Sequence, residues 1–146
     1  MGLIQDLGPG PVGVDTAAFI YFIEEHPRYL PIIRPLFRDA DAGKRALVTS
    51  ALTLLEVLIV PLRSGDHGLA ADYEALLTRG RGLTLVDISR RQLRDAAQLR
   101  AMTGIKTPDA LQLAACLHAG CQTFVTNDRR LPALPGLRVI ELDDYL

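Results

Sequence analysis

The chain has 146 residues, enough for one domain with a substantial core. Its 16 Lys and Arg balance 17 Asp and Glu to a net charge of −1, which excludes a global basic field for nucleic acid. Hydrophobic residues make up 49 % of it, rich enough that some apolar surface could belong to a partner. No apolar run is long enough to span a membrane and no secretory signal opens the chain, so the expected compartment is the cytoplasm.

In chain order, residues 1–11 form a Gly- and Pro-containing lead-in, expected to be flexible. Val12–Val14 is a short buried strand that Asp15 closes, and Asp15 can cap the helix that follows over 16–25. A Pro-punctuated helix over 29–42 carries Arg34 and Arg38 on a solvated face. A second strand spans 46–49. Ser50 is expected to cap a helix that Pro61 limits near residue 59. A polar-faced helix covers 66–78 and a third strand 83–86, ended by Asp87. Ser89 caps a helix over 90–102 with Leu93, Ala96, Ala97 and Leu99 turned inward.

The stretch that organises the chain comes next. Thr107 is the expected N-cap, with Pro108 at the first helical position and Asp109 in the first turn, where the helix dipole favours a carboxylate. This helix runs to Ala119, and Gly120 stops it. A buried strand over 121–126 follows, with Asp128 just beyond its end. A last strand covers 137–140 and a short tail 142–146. Strands alternating with single or paired helices imply an α/β fold with a parallel sheet and right-handed crossovers. A helix antiparallel to the next strand brings Asp109 back to face Asp128.

Four acids have apolar neighbours: Asp15, Glu56, Asp109 and Asp128. Each alone has an ordinary reading as a cap, a first-turn acid, a turn residue or a surface carboxylate. Together they fall at strand ends and nearby helix starts, where α/β sheets collect function. Glu56 sits among Leu52, Leu55, Ile59 and Val60 at helical spacing. A carboxylate left alone there would rather protonate, and a bound divalent cation would remove that cost. Oxygen-only donors suit Mg2+ or Mn2+, ions that orient a phosphate and activate water. Asp87 also ends a strand but reads as a turn residue on a sheet edge. Cys116 and Cys121 read as reduced core residues, and with His118 they fit no structural zinc spacing.

The segments VDTAAFI around Asp15, TSALTLLEVL around Glu56, KTPDALQLAAC around Asp109 and TFVTNDRRL around Asp128 occur in the order found in PIN-domain ribonucleases. The chain resembles that family, and within it the VapC-type toxins of toxin–antitoxin pairs, over residues 12–140. The resemblance implies a three-layer PIN-like fold whose five parallel strands run 3-2-1-4-5 between helices. It also implies Mg2+- or Mn2+-dependent cleavage of RNA. Asp15, Glu56, Asp109 and Asp128 would be metal ligands or orienters of the attacking water, and Thr126 a supporting hydroxyl. The lead-in is longer than the family's usual start, so 12–146 is the expected single domain. The implied partners are RNA, a cognate antitoxin and a second copy of the chain. The apolar density of Phe19, Ile20, Tyr21, Phe22, Ile32, Ile33, Leu36 and Phe37 points to a groove for an antitoxin segment. Alternatives are an RNA-processing nuclease without an antitoxin, and a non-catalytic RNA- or protein-binding module on the same fold.

Overall fold

The structure is a computed structural model that describes residues 2–128, 130–132 and 134–146. Met1 of the lead-in and Arg129 of TFVTNDRRL lie outside the described residues. Its elements are α1 (Leu3–Asp6), β1 (Val12–Val14), α2 (Thr16–Ile23), α3 (Leu30–Asp41), β2 (Leu47–Ser50), α4 (Leu52–Ser64) and α5 (His67–Arg79). Then come β3 (Leu83–Val86), α6 (Arg90–Thr103), α7 (Thr107–His118), β4 (Thr123–Thr126), β5 (Arg138–Glu141) and a closing 3-10 turn, Leu142–Tyr145.

The five strands are all parallel, in the order β3-β2-β1-β4-β5. Successive side chains on a strand point to opposite faces, and both faces are covered here. On one side Val12, Val14, Leu47 and Val125 meet Phe19, Leu36 and Tyr73 from α2, α3 and α5. On the other, Val48 and Phe124 meet Ala96 of α6 and Leu113 and Cys116 of α7. Gly13 points to that second side. A Cβ there would lie 2.0 Å from Cys116 Sγ, so the missing side chain is what lets α7 seat against β1.

Several local expectations change. The lead-in carries α1, and its Leu3 and Leu7, one turn apart, are buried in the first core rather than loose. Tyr145 donates to Asp6 at 2.6 Å and Arg45 to the Gly8 carbonyl at 2.9 Å, which ties this segment down. Ser50 ends β2 and Ala51 takes the N-cap position of α4, while Ser50 Oγ accepts from Leu52 N–H at 3.1 Å at the helix start. That helix continues through buried Pro61 to Ser64 and stops at Gly65, whose φ of +74° is the left-handed stop. Proline removes one N–H from the ladder, which the packing of α4 tolerates. Lys106, not Thr107, is the N-cap of α7, and the Thr107 hydroxyl accepts from Arg100 at 3.1 Å.

Apolar surface is distributed differently from the sequence expectation as well. Phe19, Ile33, Leu36 and Phe37 are fully buried, and Ile20, Tyr21, Phe22 and Ile32 pack against them. Four of the eight side chains are therefore core residues, and the other four stay partly exposed on α2 and α3, where Phe22 and Phe37 line a cavity of about 270 Å3. Exposed apolar side chains lie elsewhere: Leu55, Ile59, Val60 and Leu62 on α4, and Leu93, Met102 and Leu117 on α6 and α7. Leu93 and Ala97 face outward, so α6 buries Gln92 and Ala96 with Leu99 half-buried. Among the described residues no helix is long and apolar enough to cross a membrane.

Candidate active site

β1 and β4 are neighbours in register, Val14 against Val125, so Asp15 and Thr126 leave the sheet side by side. Asp15 N–H donates to Val125 O at 3.1 Å. One carboxylate oxygen, Oδ1, accepts from Ala18 N–H at 3.4 Å and caps α2. The other, Oδ2, accepts from the Thr126 hydroxyl at 2.5 Å. Thr126 is fully buried and in turn accepts from Asp128 N–H at 3.1 Å. A single hydroxyl therefore holds Asp15 and fixes the turn that carries Asp128.

Asp109 stands in the first turn of α7, which packs on β1 and β2. Burial holds its carboxyl above the usual range. The negative charges of Asp128 and Glu56 push the same way, against the pull of Arg130 and Lys106. That field places Asp128 and Glu56 each within electrostatic reach of Asp109. Asp128 itself is clamped by Arg130 through two bonds of 3.0 Å, and the guanidinium holds its carboxyl below the usual range.

Glu56 differs from the expectation of an acid boxed in by leucines. Leu55, Ile59 and Val60 are 58 %, 44 % and 66 % exposed, so they flank it from the solvent side. What fixes Glu56 is Thr16, whose hydroxyl donates to Oε1 at 2.7 Å. Burial also lifts Asp15, pushed up to about 6 although Thr126 and the backbone N–H groups of Ala18, Asn127 and Ala17 pull it down.

Behind the acids lies a polar cluster that sequence reasoning missed: Thr16, Thr49, Thr53 and Gln112, joined by bonds of 2.7 to 3.3 Å. A signal existed, since Gln112 is the one polar side chain in ALQLAAC and Thr53 precedes Glu56 by one helical turn. Beyond Thr126, Asn127 Nδ2 donates to Tyr21 Oη at 3.3 Å and Tyr29 Oη at 3.0 Å, which anchors the loop to α2. Asp87 is exposed after edge strand β3, two strands from β1, and Ser89 caps α6 through Gln92 N–H at 3.1 Å.

The donor set at this edge is oxygen only, one of its carboxylates is paired with Arg130, and two of its carboxyls are lifted. In donor chemistry that fits a hard divalent cation. As the side chains stand, no group of three or more His, Cys, Asp or Glu that could hold a metal ion occurs among the described residues.

The PIN domain family model matches residues 12–137. The fold is similar to that of VapBC2 from Rickettsia felis bound to a DNA fragment from its promoter. There the TM-score is 0.66 at 18 % identity, covering 90 % of this chain and 98 % of the other. It is similar to DNA-bound VapBC from Salmonella typhimurium, with a TM-score of 0.67, 22 % identity and 92 % and 99 % coverage. It also resembles VapC20 of Mycobacterium tuberculosis, a Sarcin-Ricin loop cleaving toxin, with a TM-score of 0.63, 16 % identity and 77 % and 86 % coverage. No curated protein sequence matches the chain significantly.

Proposed function

Because this chain belongs to the PIN-domain family, we propose that it is a metal-dependent endoribonuclease and the toxin of a toxin–antitoxin pair. What supports the reading is Asp109, lifted by burial and by the charges of Asp128 and Glu56, together with Asp15 held at the end of β1 beside Thr126 of β4. These four side chains would hold Mg2+ or Mn2+. When bound, such an ion supplies charge neutralisation on the phosphate and a more acidic water.

The chain's own groups do the rest. Thr126 keeps Asp15 Oδ2 fixed, so that carboxylate needs no reorganisation when substrate arrives. Asp109, Lys106 and Arg130 line a cavity of about 220 Å3 beside the acids. Lys106 is placed to take an oxygen of the RNA backbone, and Arg130 would add its two-donor fork once a cation relieves it of Asp128. Local cations at the rim thus substitute for the missing global basic field.

Support for the partner comes from the solved relatives, which were crystallised as VapBC pairs. Two patches of exposed apolar side chains, on α4 and on α6 with α7, supply surface for an antitoxin segment and for a second copy of the chain. A nuclease with those partners would work in the cytoplasm. The test is cleavage of RNA by purified protein with Mn2+ or Mg2+ and with EDTA. Activity should require the metal and be lost in Asp109→Asn. Full cleavage in EDTA, or by Asp109→Asn, would overturn the reading.

A further inference from the structure

The helices α4 and α7 share a design. Each presents an acid and, one turn away on the same face, a buried polar residue: Thr53 and Glu56 on α4, Asp109 and Gln112 on α7. The two polar residues bond each other, Gln112 Nε2 to Thr53 Oγ1 at 2.7 Å. This bridge fixes the rotation of one helix against the other, and with it the spacing of the two acids.

Hydrogen positions follow from donor counting. Ser50 N–H can only donate, and it lies 3.2 Å from Gln112 Oε1, so the amide oxygen faces β2 and the NH2 faces Thr53. At the other end a carboxylate can only accept, so the Thr16 hydroxyl spends its single proton on Glu56 Oε1 at 2.7 Å. Thr16 can then only accept from Thr53, 3.3 Å away. Thr53 thus accepts from Gln112 and donates to Thr16. The Thr49 hydroxyl lies 2.7 Å from Thr53 Oγ1 and donates to Gln112 Oε1 at 3.3 Å, so it braces both members of the bridge. Thr49, Ser50, Thr53 and Gln112 are all 5 % exposed or less, so water does not compete for these bonds.

We infer that Gln112 is a positioning residue which, through Thr53 and Thr16, holds the Glu56 carboxylate in place opposite Asp109. The inference rests on the reading of Glu56 as a metal ligand. Groups that orient a ligand without touching the metal are worth about 10- to 100-fold in affinity.

Thr16→Val removes the last hydroxyl of the chain at a half-buried helix start, and so tests the relay even if Gln112→Leu fails to fold. Crystal structures of the metal-free wild type and Thr16→Val should show Glu56 swung away from the site only in the variant. By calorimetry, Thr16→Val should weaken Mn2+ binding by about 10- to 100-fold. Thr16→Ser should restore both the affinity and the orientation. In a Glu56→Gln background, Thr16→Val should have no further effect on Mn2+ affinity, because the relay acts only through that carboxylate. Glu56 unmoved in Thr16→Val, or a loss of affinity that persists in the Glu56→Gln background, would overturn the relay. Wild type that neither binds Mn2+ nor cuts RNA would instead overturn the nuclease reading, while the orientation of Glu56 still judges the relay.

Discussion

Strands β1 and β3 end alike in sequence and unlike in consequence. Each is a short apolar run closed by an aspartate ahead of a helix. β1 is buried along its whole length between β2 and β4, whereas β3 pairs only with β2 and leaves Thr84 exposed. Asp15 therefore loses water on both flanks and gains a hydroxyl from the neighbouring strand, Thr126. Asp87 keeps its water. The same residue after the same kind of strand becomes a tuned carboxyl or a turn residue according to how many strands stand beside it.

The largest expected effect separates these two acids directly. Asp15→Asn should lower the initial rate of Mn2+-dependent RNA cleavage by about 10³-fold, the scale of losing one preorganised electrostatic contact. Asp87→Asn should leave the rate unchanged. Equal losses would remove the distinction.

A pH experiment sharpens it. The Asp15 carboxyl rises from 3.8 to about 6 on folding because it is buried. Between those values the folded state keeps a proton that the unfolded state releases, so stability falls as pH rises through that window and stays lower above it. Two pH units amount to about 3 kcal/mol. Urea melts in EDTA from pH 4 to 7 should show this fall in wild type and Asp87→Asn. Asp15→Asn should lack it.

Packing gives the next contrast. Gly13→Ala puts a methyl 2.0 Å from Cys116 Sγ and 2.8 Å from Phe124 Cδ1, and should cost about 1–3 kcal/mol. Thr84→Ala on β3 should change stability by less than about 0.5 kcal/mol in the same denaturation curves. Smallest in activity is Thr126→Val, expected to slow cleavage about 10-fold by freeing Asp15 Oδ2, with Thr126→Ser close to wild type.

The strands were legible because apolar runs rich in β-branched residues stop at Asp, Ser or Gly, and β3 falls where such a run predicts. Their order came from the family resemblance, not from periodicity. The neighbourhood of Asp15 and Asp128 was legible too, because parallel neighbours end at one edge. Helix orientation was not. Periodicity marks an apolar stripe on α6 but not which way it turns, and Leu93 faces solvent. Residues 1–11 read as a flexible lead-in from their Gly and Pro, yet Leu3 and Leu7 join the core that α2 and α3 face. Gln112 escaped notice because a lone amide in an apolar helix has no meaning until its partners, 59 to 63 residues away, are known.

The bond from Thr126 to Asp15 spans 111 residues, with β4 arriving after β1, β2 and β3. Synthesis runs from the N-terminus, and early segments can begin to pack before the rest exists. Strand β1 and Asp15 leave the ribosome first but find neither hydroxyl nor opposing carboxylates there. Asp109, Thr126 and Asp128 all follow it in the chain. A nascent chain thus carries no assembled acidic edge until β4 and the turn beyond it have been made. The central strand waits for both of its neighbours, and the edge is completed only by the later one, β4.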